Sequence, residues 1–349
     1  MNINQFGFNE FFQEQLQAFE MNDYIAGRIS LEHKRYYRVW TDEGELLCEV
    51  SGKLDFQAAN REDYPAVGDW VVLQRMQGEE KGVIHAILKR KSKFSRKIAG
   101  INTEEQIVAA NVDTVFLVNS LNDDLNLRRI ERYLLLAWES GANPVIILTK
   151  VDLCADVEQQ LALVESVAMG VPVIPISVLN EVGMESIATY LKAGDTIALL
   201  GSSGVGKSTL TNYLLGYEKQ KVHQIREDDA KGRHTTTHRE LILLPNGAVM
   251  IDTPGMRELQ LWDSDKGVSE SFADIEGFAD NCKFRDCTHH NEPGCAVKEM
   301  IAAGLLEEAR LISYKKLLKE LAYLERRQDL KKQSEERKHW KKISKAARK

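Results

Sequence analysis

The stretch IALLGSSGVGKSTL, residues 197–210, constrains the fold more than any other part of the chain. It joins an apolar strand, a glycine-rich turn and the start of a helix. Gly201 to Ser208 fit the spacing G-x-x-x-x-G-K-[ST]. In such a turn the glycines let successive backbone N–H groups curl around a phosphate, and the helix N-terminus adds its dipole. The expected nucleotide contacts are Gly201, Ser202, Ser203, Gly204, Val205, Gly206, Lys207, Ser208 and Thr209. Lys207 is assigned to the β- and γ-phosphates and Ser208 to Mg2+. A glycine-rich turn matching by chance would lack the strand before it and the helix after it, and both are here.

Three further stretches end apolar strands. In DTPG, residues 252–255, Asp252 is expected to hold Mg2+ through water and the Gly255 N–H to meet the γ-phosphate. In TKVD, residues 149–152, the Asp152 carboxylate can accept hydrogen bonds from the N1–H and N2–H2 edge of guanine, an edge adenine lacks. Lys150 can lay its alkyl stem over the base, and Thr149 opens the motif. The plain alternative for this aspartate is a helix N-cap. In ISVL, residues 176–179, the backbone after Ser177 could donate to guanine O6. Together these motifs describe a guanine-nucleotide site at the carboxyl edge of a doubly wound sheet.

Their order is unusual: base motifs first, then the phosphate loop, then the segments that sense the γ-phosphate. A doubly wound sheet tolerates circular permutation when its original ends lie close together. The pocket is unchanged by this, but the segment after Asp252 now leads directly into the C-terminal part of the chain.

The rest of the pattern fits around this. From about residue 107 strands and helices alternate: VDTVFLV, a helix closed by Gly141, PVIILT, a second helix, VPVIPIS, a helix over Glu185–Leu191, and DTIALL. ELILLPNGAVMIDTPG reads as a hairpin turning at Asn246-Gly247. Upstream, Phe8, Phe12, Leu16 and Phe19 have helical spacing over residues 5–20, and residues 24–90 read as short alternating strands, predicting an OB-like β-barrel. KRKSKFSRK, Lys89 to Lys97, reads as a solvated linker, with a phosphate-contacting strip as the alternative. In the C-terminal region Leu317, Leu321 and Leu324 mark a packed helical face.

A chain of 349 residues is long enough for two or three domains. No apolar run approaches a membrane span, and the N-terminus lacks the basic-then-apolar pattern of a signal peptide, so a cytoplasmic protein without membrane contact is expected. The net charge of -6 argues against nucleic-acid binding by the whole surface. The tail from Arg326 to Lys349 is heavily cationic, which suits either one RNA-facing patch or a solvated helix end.

Of five cysteines, Cys282, Cys287 and Cys295 lie together beside His289 and His290. Three thiolates and one imidazole make a closed tetrahedral shell for a structural Zn2+. No arrangement of base and acid around any one cysteine suggests thiol catalysis.

The permuted order, with RHTTTH before DTPG and the cysteine cluster after it, resembles the ribosome small-subunit-dependent GTPase A family (RsgA, YjeQ, YloQ) over essentially the whole chain. The resemblance implies an OB-like barrel over residues 1–95, a circularly permuted P-loop GTPase domain over 98–270, and a helical zinc module with a basic tail over 271–349. It implies a monomer that hydrolyses GTP to GDP and phosphate as a late assembly factor of the 30S subunit, touching 16S rRNA. A nucleotide-gated RNA-binding scaffold with incidental hydrolysis is the alternative. By the same resemblance Thr236 closes on Mg2+, and His289 is the zinc ligand. The residue after DTPG is Met256, whose thioether cannot orient water, and His234 takes that task by resemblance. A solvated loop histidine is the plain reading of His234, and His238 is its rival. Thr149 departs from the usual asparagine of the base motif, a departure the family tolerates but one that could leave guanine affinity moderate.

Overall fold

Five short strands between Tyr24 and Ile87 close on themselves, with buried and exposed residues alternating along β2 and β3. They are β1 (Tyr24–His33), β2 (Tyr36–Thr41), β3 (Gly44–Val50), β4 (Trp70–Arg75) and β5 (Lys81–Ile87). β1 pairs with β2, β2 with β3, and β5 with β4, all antiparallel; β3 and β5 are parallel, and β4 returns to β1 to complete the ring. This is the expected OB-like barrel, closed so that no edge remains open. Ile29, Tyr37, Val39, Leu46, Cys48, Val71, Leu73 and Ile84 fill it.

The computed structural model describes residues 2–19, 23–33, 35–97, 105–122, 125–217, 239–252, 272–290, 292–308, 310–316, 318 and 319. Contacts divide the chain into two compact units, Met1–Gln260 and Leu261–Lys349.

The helix expected over residues 5–20 is shorter. A tight turn at Ile3–Phe6 ends at Gly7, whose φ of 90° stops it, and α1 (Glu10–Gln17) follows. Phe12 is buried against Trp70, with Phe8 and Leu16 packed beside it, while Phe19 is exposed. Burying the Phe12 ring is worth about 2–3 kcal/mol. A second short helix, α2 (Gly52–Gln57), follows β3 and is capped by the Ser51 hydroxyl.

The basic stretch at 89–97 is not simply a solvated linker. Its second half forms β6 (Lys93–Lys97), paired antiparallel with β7 (Glu105–Ala110), and Phe94 is buried. Charge count misjudged it, because an irregularity in the pairing between Phe94 and Ser95 lets both residues be buried while Lys93 stays exposed.

The nucleotide-domain strands are β8 (Thr114–Ser120), β9 (Asn143–Thr149), β10 (Val173–Pro175), β11 (Thr196–Leu200), β12 (Glu240–Leu243) and β13 (Val249–Asp252). Their spatial order is β10-β9-β8-β11-β13-β12. All neighbours run parallel except the β12–β13 hairpin, whose turn carries Gly247 at φ 86°. β8, β9 and β11 are buried on both faces, which is why they read as continuous apolar runs. Between them run α3 (Leu127–Ser140), capped by Asn126 and closed by Gly141 in the left-handed region, α4 (Val157–Val167), capped by Asp156, and α5 (Met184–Ala188). α6 (Lys207–Leu215) follows β11. The strand feeding the phosphate loop therefore lies mid-sheet between β8 and β13, although it comes fourth in the chain order of this sheet. That is the permuted arrangement read from the motifs. β1 also pairs with β12 at Leu31 and Glu240, so one sheet of eleven strands runs through barrel and nucleotide domain.

In the second unit α7 (Ala273–Ala279) and α8 (Ala296–Ala302) pack with Phe272, Ile275 and Val297 buried. Arg310 forks onto Asp274 at 2.6 and 2.9 Å and lies over the Phe272 ring. Leu317, Leu321, Leu324 and the tail from Arg326 lie outside the described residues. No helix among the described residues is long and apolar enough to cross a membrane.

Candidate functional site

The phosphate loop leaves β11 at Gly201, where a Cβ would stand 2.3 Å from the Val118 carbonyl oxygen of neighbouring β8. No side chain fits there, so the motif glycine reflects a close backbone approach. Gly206, at φ 95°, makes the left-handed step that starts α6. Ser202, Ser203, Gly204 and Val205 form the turn before Gly206, and Lys207, Ser208 and Thr209 the first turn of α6, where helix N–H groups have no partner within the helix. The Lys207 ammonium donates to the carbonyls of Gly201 (2.7 Å) and Ser202 (2.5 Å), which holds its charge at the mouth of the loop.

The base motif is tied to that loop by two struts. Thr149, buried at the end of β9, donates through its hydroxyl to the Val205 carbonyl at 2.6 Å, with Asn119 O at 3.3 Å. The threonine hydroxyl thus ties the end of β9 to the loop after β11. Lys150 adopts the left-handed conformation at φ 60°, and its ammonium donates to Gly204 O at 2.8 Å. A left-handed lysine is strained by roughly 1–2 kcal/mol, strain of the kind found where function fixes the backbone. Its stem therefore spans from the base motif to the phosphate loop.

Asp152 is exposed in the turn after Lys150, not the N-cap of α4, a role taken by Asp156. Its carboxylate accepts from the buried Ser177 hydroxyl at 2.5 Å, which fixes its direction. Ser177 follows the end of β10 and is itself held by reciprocal backbone bonds with Val182. Asp252 ends β13, and the pairing Ala198–Ile251 places it level with Leu199, two residues before the loop. Ser208 and Asp252 are hard oxygen donors of the kind Mg2+ takes. His234, Thr236 and Gly255 lie outside the described residues.

The sequence reading missed a cation at this site. Arg129 on α3 donates to the Ser202 hydroxyl at 2.6 Å, with the Tyr133 hydroxyl 3.5 Å from the same oxygen. The signal was there: Arg129 and Tyr133 are four apart, so they share one helix face just after a sheet strand.

In the second unit the ligand atoms of Cys282, Cys287, His289 and Cys295 all lie within 4.8 Å of one another. The His289 Nδ1 is 3.7 Å from Cys282 Sγ and 3.4 Å from Cys295 Sγ. A zinc tetrahedron has a sulfur–nitrogen edge of about 3.6 Å, so these residues fit that ion. His289 has φ 57° and is buried, whereas His290 is exposed and donates its N–H to Glu292, so the backbone turn sends only the first histidine inward. Burial and the Lys315 ammonium push the His289 imidazole below its usual pKa, toward the neutral form a metal requires. Burial raises the Cys282 thiol, but the N–H groups of Val297 and Ala296 and the neighbouring thiols outweigh it, leaving it below the usual range.

A family model described as RsgA GTPase matches residues 87–262, which hold the base motif, the phosphate loop and Asp252. The chain belongs to the RsgA GTPase family. Among its relatives, "Small ribosomal subunit biogenesis GTPase RsgA 1" of Oceanobacillus iheyensis is 48% identical over 345 residues, covering 99% of this chain and 98% of that protein. "Small ribosomal subunit biogenesis GTPase RsgA" of Methanosarcina acetivorans is 46% identical over 329 residues, 94% of this chain and 88% of that one. Among solved structures, YjeQ from Thermotoga maritima superposes with a TM-score of 0.63 at 29% identity, covering 86% of this chain and 99% of the other. YloQ, described as a circularly permuted GTPase, gives 0.62 at 25% identity, covering 88% and 96%. The match to the Oceanobacillus iheyensis protein covers 99% of this chain, so it runs over the barrel and the cysteine cluster as well as the residues of the family model. An RsgA GTPase hydrolyses GTP, and the bonds from Thr149 and Lys150 join the turn after β9 to the loop after β11.

Proposed function

We propose that this chain is a GTPase acting in biogenesis of the small ribosomal subunit, with its nucleotide site built from the phosphate loop and the Asp152–Ser177 pair. The observation that carries this is the physical linkage of the two motifs, Thr149 to Val205 and Lys150 to Gly204, in a chain alike end to end to small-subunit biogenesis GTPases.

Asp152 takes the guanine edge while the Ser177 hydroxyl holds its carboxylate. The loop N–H groups and Lys207 neutralise charge on the β- and γ-phosphoryl oxygens as water attacks in line, the γ-phosphorus bond to the bridging oxygen breaks, and GDP and phosphate leave. Ser208, Thr236 and Asp252 would hold Mg2+, which would supply further charge neutralisation. Gly255 offers its N–H to the γ-phosphate, and His234 orients the attacking water. The cysteine cluster holds one structural Zn2+. The barrel through residue 95, the module over 271–349 and its basic tail contact 16S rRNA around the GTPase domain of 98–270, in a cytoplasmic monomer without membrane contact.

The test is GTP turnover titrated with 30S particles, with 50S particles as control. Turnover rises with 30S and not with 50S; a flat response to 30S removes the ribosomal reading. The base assignment has its own test. Asp152→Asn replaces one acceptor with a donor facing the guanine N–H groups, so GTP affinity falls about 100-fold. Xanthine, with a carbonyl at C2, accepts from the new amide, so xanthosine triphosphate becomes the preferred nucleotide in competition binding. Unchanged preference counts against Asp152 as the base reader.

A further inference from the structure

Arg28, in β1 of the barrel, is 1% exposed, yet no carboxylate lies among its hydrogen-bond partners. Its guanidinium donates to four neutral acceptors from four separate segments: Phe6 O in the N-terminal turn, Gly68 O before β4 (3.3 Å), Asn111 O after β7 (3.3 Å) and Thr196 Oγ1 (2.8 Å). It also lies over the Trp70 ring, 5.4 Å from the centroid. Burying a charge this fully is costly and gives little net stability by itself. What it does provide is geometry, because a planar fork held through all three of its nitrogens restricts the relative placement of the segments it joins.

The seam around it leaves no slack. A Cβ on Gly68 would stand 2.1 Å from Ala110 O, and one on Gly7 would stand 2.5 Å from Gly194 O. Asn111 donates to Gly68 O at 3.0 Å, and Asp113 accepts the Thr196 N–H at 2.8 Å. Thr196 is the first residue of β11, which runs straight into the phosphate loop. On the other side of the nucleotide sheet, β1 pairs with β12 at Leu31 and Glu240, and β12 is the strand that follows the segment containing Thr236.

We propose that Arg28 is a positioning residue for the nucleotide site: through Thr196, and together with the β1–β12 pairing, it makes the barrel and the nucleotide sheet one mechanical body, so that nucleotide occupancy is felt in the barrel and force on the barrel is felt at the phosphate loop. The inference rests on the GTPase reading. Coupling of this kind is reciprocal, so it can be read from the nucleotide side without a ribosome.

The experiment is amide hydrogen exchange on the full chain, with and without a non-hydrolysable GTP analogue and Mg2+. In the wild type the analogue slows exchange in barrel peptides over 24–33 and 70–75 as well as in the loop, by about fivefold or more. Thr196→Val keeps the carbonyl acceptors and the shape of the side chain. In that variant, and in Arg28→Lys, the loop is still protected but the barrel response is lost. A purely structural arginine would instead lower the melting temperature and leave the barrel response in place. Binding of the analogue without any barrel response in the wild type overturns the coupling alone, as does a full response in Thr196→Val. Failure of the wild type to bind the analogue overturns the GTPase reading and the coupling with it.

Discussion

Lys207→Ala lowers GTP turnover by about a thousandfold, at the upper end of what one preorganised charge contributes to a developing phosphoryl charge. The ammonium is not a loose surface charge. Two of its contacts are the carbonyls of Gly201 and Ser202, so the loop itself aims it, and the helix behind it begins at the adjacent Gly206. Removing it leaves those carbonyls to water and the loop N–H groups as the remaining donors. Lys207→Arg fails nearly as badly, because a planar fork cannot take the place of a compact ammonium between two carbonyls. Steady-state turnover in Mg2+ measures the loss, and calorimetric titration separates binding from chemistry. Turnover within tenfold of the wild type would remove Lys207 from the phosphate site.

Much of the fold around this loop is legible in the sequence. The phosphate loop is a local device whose glycines answer local backbone demands, as the approach of Gly201 to Val118 O shows. The barrel was legible because short apolar strands recur between turn signals, with alternation clear in β2 and β3, and the permutation because motif order needs no tertiary information. What was illegible joins distant segments. Nothing around Arg28 announces that its acceptors sit at positions 6, 68, 111 and 196, and a charged residue in an alternating strand reads as solvent-facing. Lys89–Lys97 misled for a related reason: its pairing partner β7 begins at Glu105, so composition saw the lysines and missed the ladder. His289 rather than His290 follows from the family resemblance; the structure adds the backbone reason, φ 57° at His289, which turns that side chain inward. Thr149 shows the opposite case, in which the threonine standing where asparagine was expected ties β9 to the loop through its hydroxyl bond to Val205 O.

Cys295→Ser abolishes the metal site and melts the unit of residues 261–349. Cys295 is buried, immediately precedes α8, and lies 3.4 Å from His289 Nδ1, so ligand and helix start are the same residue. A small unit with a modest core leans on its ion. Structural zinc contributes on the order of 10 kcal/mol of apparent folding energy in small zinc domains, far above what a single buried cysteine contributes by packing. Metal analysis should find one zinc per chain in the wild type and none in Cys295→Ser or His289→Ala. His290→Ala should keep its zinc, because that side chain is exposed outside the cluster. Chelation of the wild type should reproduce the Cys295→Ser state, read as loss of exchange protection over α7 and α8, while GTP analogue binding at the phosphate loop persists. The discriminating pair is the two histidine variants. Zinc retained in His289→Ala and lost in His290→Ala would overturn the ligand assignment, and zinc absent from the wild type would overturn the structural role of the metal.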